Sequence, residues 1–232
     1  MLEIRHVSKA FEQLPVIDNL SLLVKDQEIV ALTGPSGCGK TTLLNMISGI
    51  EKPDTGEIRG ADIRISYMFQ NTRLLPWKTV YDNIRLVNED AGHDAVMELI
   101  DAVGLTGFEN YYPAQISGGM AKRCALARAF HYRGELLLMD EPFQGLDYGL
   151  RMEMLRMTLR IWKERKPSIL FVTHEIDEAF TVASRIAVLS RRPSSVQKEL
   201  ELPGENGRDC ADPCLSTIRR EIHALVSGAS GT

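Results

Sequence analysis

The sequence predicts an α/β protein with a mainly parallel sheet and a helical block inserted into it. Three observations lead there. Short apolar runs alternate with helical sequence before residue 70 and again after residue 134. From about Thr79 to Arg133 no strand-like run occurs, only helical stretches. A glycine-rich turn separates the first buried-strand candidate from the helix that follows it.

The elements follow in order. Glu28 to Leu32 is a short apolar strand, and Thr41 to Ile50 reads as a helix beyond the glycine-rich turn. Lys52-Pro-Asp-Thr-Gly56 is turn chemistry. Ile63, Ile65, Tyr67 and Phe69 then alternate with Arg64, Ser66 and Met68, as in a half-buried strand. In the helical block, Ala95, Val96, Leu99, Ile100 and Val103 form an apolar stripe that stops at Gly104. The core resumes with Leu136–Met139, Ile169–Val172 and Ile186–Leu189 as buried strands. A weak strand (Ser195 to Leu202), a Gly/Pro loop and an amphipathic stretch from Leu215 to Val226 complete the chain. The expected division is one domain: a core of residues 1–78 and 134–191, a helical subdomain of about 79–133, and a tail of 192–232.

Composition narrows the function. With 232 residues, 44% hydrophobic and 25% charged, the chain can bury a sizeable core. A net charge of -4 gives no electrostatic footprint for nucleic acid and no basic surface for a membrane. Met1 to Glu12 holds no apolar segment of a secretory signal, and no run approaches the ~18 apolar residues a membrane span needs. Any membrane role is therefore expected through a partner. Cys38, Cys124, Cys210 and Cys214 are too scattered for a disulfide framework and read as free thiols in a reducing compartment.

The chemistry begins at Gly34, Pro35, Ser36, Gly37, Cys38, Gly39, Lys40, Thr41 and Thr42, which fit G-x-x-x-x-G-K-[ST] between a strand and a helix. Glycines let successive N–H groups point inward as an anion nest. The helix beginning near Lys40 adds its positive dipole end. Lys40 supplies a point charge for the β- and γ-phosphates, and the Thr41 hydroxyl a hard oxygen ligand for Mg²⁺. This is a nucleotide site.

Phosphoryl transfer also needs a metal anchor and a group that positions water. The strand Leu136–Met139 runs into Asp140 and Glu141, at the carboxyl end where open α/β sheets carry ligand chemistry. Asp140 is expected to hold Mg²⁺ through water, and Glu141 to act as general base. His174, just past the strand Ile169–Val172, is placed to hold Glu141 and the water in register. Ser117, Gly118, Gly119 and Met120 repeat the phosphate-loop logic: a hydroxyl and two glycine N–H groups at a helix N-terminus. Two half-sites in one chain make sense if two copies work head to tail, each ATP held between one copy's loop and the other's Ser-Gly-Gly.

Together these motifs resemble the ATP-binding cassette ATPases over nearly the whole chain. The resemblance implies a RecA-like phosphate-loop core with an antiparallel β part near the N-terminus. It makes Ser117-Gly-Gly-Met120 the signature, with Met120 where glutamine is commoner. Gln70 looks like the glutamine that touches Mg²⁺ and senses the permease, Gly145-Leu-Asp147 resembles the D-loop, His174 the switch histidine, and Phe11 the aromatic that stacks on adenine. Gln144 and Gly145 depart from the usual residues before Leu146.

Leu74-Leu-Pro-Trp77, Val80-Tyr-Asp-Asn-Ile84 and Asp-Glu-Pro-Phe143 are similar to the importers of nitrate, sulfonate and taurine, a group that also takes up bicarbonate. The resemblance implies a homodimer, an integral membrane permease, an extracytoplasmic solute-binding protein, and a place on the cytoplasmic face of the membrane. Chromosome-maintenance relatives carry a long heptad arm between the phosphate loop and the signature. Here about eighty residues intervene, without heptads. The competing expectation is a related ATPase that regulates or assembles rather than transports.

Overall fold

In the computed structural model, residues 1–227 are described, so positions 228–232 of the expected tail lie outside them. Strands β1 (Leu2–Phe11), β2 (Leu14–Val24) and β3 (Ile29–Thr33) come first, then α1 (Lys40–Ile47), β4 (Thr55–Arg59) and β5 (Ile65–Met68). The helical block holds α2 (Val80–Arg85), α3 (Gly92–Ala102) and α4 (Gly118–His131). It is followed by β6 (Leu136–Asp140), α5 (Tyr148–Arg165), β7 (Ser168–Val172), α6 (Ile176–Val182), β8 (Arg185–Leu189), β9 (Val196–Glu201) and α7 (Ser216–Ser227).

Six strands form one sheet in the order β5-β6-β7-β3-β8-β9, parallel except for β9. Strands β2-β1-β4 form a separate antiparallel sheet. The central strands β3, β6, β7 and β8 are buried throughout, so their sequence reads as continuous apolar runs rather than alternation. Their side chains still alternate between two cores. Ala31, Leu137, Met139 and Phe171 face the cluster built with helices α2 to α7. Val30, Leu32, Leu136, Leu138 and Leu170 face the cluster of α1 and the antiparallel sheet.

Several boundaries differ from the sequence reading. Helix α1 stops at Ile47, with Gly49 at φ 77°, three residues before Ile50. The turn at Lys52–Gly56 runs into β4, because Thr55 and Gly56 pair with β1 at the edge of the antiparallel sheet. Ile63 lies before β5, which starts at Ile65 where pairing with Leu136 begins. The N-terminal sheet is half exposed and interrupted by register shifts, so its strands carry a weaker alternation than the core strands.

Candidate functional site

The phosphate loop connects β3 to α1 at the carboxyl ends of the parallel strands. Its shape depends on glycine at two points. A Cβ on Gly34 would lie 2.9 Å from the Leu189 carbonyl oxygen, and one on Gly39, where φ is 111°, would lie 2.8 Å from Val16 Cγ1. Any other residue at either position pushes the loop off β8 or β2. The backbone therefore wraps tightly, and Lys40 is buried across it, donating to the carbonyls of Gly34 at 2.8 Å and Pro35 at 3.0 Å. Cys38 is buried beneath the loop, and burial pushes its thiol up, away from thiolate.

Thr41, in the first turn of α1, meets β6. Its Oγ1 donates to Asp140 Oδ2 at 2.9 Å. Burial raises the Asp140 carboxyl above the usual carboxylate range, partly offset by that hydrogen bond. A buried carboxylate beside a hydroxyl at the end of a phosphate loop is a hard-oxygen set that fits Mg²⁺, whose charge would reverse the desolvation penalty. Gln70, two residues past β5, donates from Nε2 to Gln144 Oε1 at 2.6 Å, which leaves its own Oε1 as an acceptor.

Glu141 follows Asp140 with φ 46°, a left-handed backbone uncommon for a non-glycine residue. That turn takes the chain out of β6, while Glu141 N–H still donates to Val172 O at 3.1 Å. Its carboxylate Oε2 sits 3.5 Å from Nδ1 of His174, which follows β7 by two residues. Glu141 and His174 thus come from adjacent strand ends and face each other beside Asp140. A cavity of about 270 Å³ opens between Gly34–Ser36, His174 and α7.

The remaining expected residues are held apart from this cluster. Phe11 ends β1, is 42% exposed, and has Lys9 Nζ 5.4 Å above its ring. Ser117 is the N-cap of α4, its Oγ accepting from Met120 N at 3.2 Å, and with Gly118 it faces solvent. Among the described residues no hydrogen bond joins Ser117–Met120 to the phosphate loop. Asp147 caps α5 in the same way, accepting from Leu150 N at 2.9 Å, and is exposed.

Three residues of this region escaped the sequence reading. Lys122 donates from α4 to the carbonyls of Pro142, at 3.3 Å, and Gln144, bracing the segment after Glu141. Burial lowers its ammonium. Arg151 and Glu178 lie beneath the His174 loop. For the last two the signal was spacing: Arg151 and Glu178 stand four residues after Asp147 and His174, in the helices that follow them.

Comparison with known proteins identifies the family. A family model described as ABC transporter matches residues 17–144. An aliphatic sulfonates import ATP-binding protein of Pseudomonas syringae pv. tomato is 38% identical over 95% of this chain and 95% of its own length. One from Bacillus licheniformis is 38% identical over 95% of this chain and 92% of its own. A solved dimeric ATP-binding cassette in a post-hydrolysis state, bound to ADP and Pi, superposes with a TM-score of 0.77 at 28% identity. It is matched over 88% of this chain and 100% of its own length. The chain belongs to the ABC transporter family, as one of its ATP-hydrolysing cassettes.

Proposed function

We propose that this cassette hydrolyses Mg-ATP to drive uptake of a small anionic solute through a separate membrane permease, with aliphatic sulfonates as the first candidates. Supporting the solute class are the sulfonate importers that match nearly the full chain. Support for a separate permease comes from the helices, none of which, among the described residues, is long and apolar enough to cross a membrane. In this reading the cassette sits on the cytoplasmic face of the membrane, and an extracytoplasmic binding protein delivers the solute.

One observation carries the mechanism. The Thr41–Asp140 and Glu141–His174 pairs converge at the phosphate loop, while the capped, exposed Ser117 lies elsewhere on the chain. Residues Gly34–Thr42 cradle the phosphates, Lys40 leaves its carbonyl partners for the β/γ oxygens, and Phe11 stacks on the base. Thr41, Gln70 and, through water, Asp140 would hold Mg²⁺, which when bound would supply positive charge against the transferring phosphate. Glu141 accepts the proton of the attacking water, and His174 holds Glu141 in place. Ser117, Gly118, Gly119 and Met120 of a second copy close the site from the other side, with the Asp147 turn next to them. On the same reading residues 1–78 and 134–191 form the catalytic core, about 79–133 the helical subdomain that meets the permease, and 192–232 the tail.

The test is growth. A strain lacking this chain should fail on an aliphatic sulfonate as sole sulfur source, and wild-type chain but not Glu141→Gln should restore it. Normal growth of the deletion strain on sulfonates removes that solute class.

A further inference from the structure

Arg151 lies in the first turn of α5, the helix that Asp147 caps, and is fixed by three side-chain contacts and one backbone hydrogen bond. Nη2 donates to Leu146 O at 3.2 Å, and the Arg151 N–H donates to Asp147 O at 2.9 Å, so the residue is bonded into the Asp147 turn itself. Nη1 lies 3.2 Å from Glu175 Oε1, and Nε 3.6 Å from Glu178 Oε1. Glu178, on α6, has a side chain only 4% exposed, and burial pushes its carboxyl up to about 7. Thr173 Oγ1 donates to Glu178 Oε2 at 2.5 Å and accepts from Glu175 N–H at 2.9 Å.

Both residues that Arg151 engages therefore act on the segment holding His174. Glu178 binds Thr173, the residue before it, and Glu175, the residue after it, lies 3.7 Å from His174 Nε2 through the same Oε1 that faces Arg151. On its other nitrogen His174 faces Glu141.

We infer that Arg151 is a positioning residue: through Glu175 and Glu178 it couples the exposed Asp147 turn to the orientation of His174. The inference rests on the reading of His174 and Glu141 as parts of the hydrolytic site. Its guanidinium hydrogen-bonds one backbone carbonyl and pairs by charge with two carboxylates, a spread that a compact ammonium does not cover. A contact that shifts the Asp147 turn drags Arg151 with it. Glu175 and Thr173 then move together, and the His174 ring turns relative to Glu141. The relay gives a second subunit pressing on Asp147 a direct hold on the catalytic geometry.

The full chain, with ring-13C-labelled histidine, tests this in two readouts: Mg-ATP hydrolysis and the resonances of its five histidines. Arg151→Met should lower kcat about ten- to a hundred-fold, the cost expected of a misplaced catalytic group, with little change in KM. The His174 resonance, assigned with His174→Ala, should move while the other four stay. Arg151→Lys should recover part of the rate. Glu178→Gln, nearly isosteric, should move the same resonance and covers the case in which Arg151→Met fails to fold. Wild-type kcat in the Arg151 variants, a fall in kcat with the His174 resonance unmoved, or a general shift of all five resonances overturns the relay. Wild-type turnover by His174→Ala would instead remove the catalytic reading of His174, independently of whether its ring moves.

Discussion

Lys40 shows how a single residue combines fold and chemistry. Buried across the loop, it donates to the carbonyls of Gly34 and Pro35 and so braces the turn that its own charge serves. Lys40→Ala removes a charged hydrogen bond worth about 1.5–3 kcal/mol. ATP affinity should fall roughly ten- to a hundred-fold, read by fluorescent-nucleotide titration. Glu141→Gln keeps the shape but not the base. Turnover should drop about 10²–10⁴-fold with ATP binding retained, and the dimer should accumulate on size-exclusion chromatography. Glu178 adds a pH signature. Its carboxyl binds a proton more tightly folded than unfolded, with a pKa raised from 4.5 to about 7. Its contribution is therefore fully present below pH 4.5 and lost as pH rises through about 7. Denaturant melts at pH 5 and pH 8 should show wild type losing stability relative to Glu178→Gln across that window.

Among the elements, helix caps mark where function is attached. Ser117, Asp147 and Thr79 all cap helices by accepting from a backbone N–H three residues on, and only the first two enter the proposed shared site. Thr79 starts α2, and its Oγ1 accepts from Asp82 N at 3.1 Å. Thr79→Ala should cost about 1 kcal/mol and lower Tm by roughly 2–4 °C while leaving ATP turnover intact, measured by thermal melts and phosphate release. Of these caps only Ser117 was read from the sequence, as a hydroxyl at a helix N-terminus. The strands of the antiparallel sheet were legible only through the family resemblance. Their exposed faces and register shifts erase the alternation that a strand reading needs, whereas β3, β6, β7 and β8 announce themselves by being wholly apolar.

For the molecule as a whole, the proposed shared site makes a prediction no single chain can satisfy. Neither Lys40→Ala nor Ser117→Ala homodimers should hydrolyse ATP well, but mixed dimers should regain part of the activity by pairing one intact loop with one intact signature. Absence of any recovery in a mixing titration counts against the head-to-tail arrangement. The sequence by itself determined the phosphate loop, the acid pair after β6, the signature and the α/β alternation, because each is written in contiguous residues whose spacing is the chemistry. Tertiary structure decided what those stretches meet. It brought Thr41 to Asp140 across 99 positions, set His174 against Glu141, and laid Arg151 and Glu178 against the His174 segment. Such contacts depend on which strands lie side by side, and the order β6-β7-β3 is fixed only when the two cores close around the sheet.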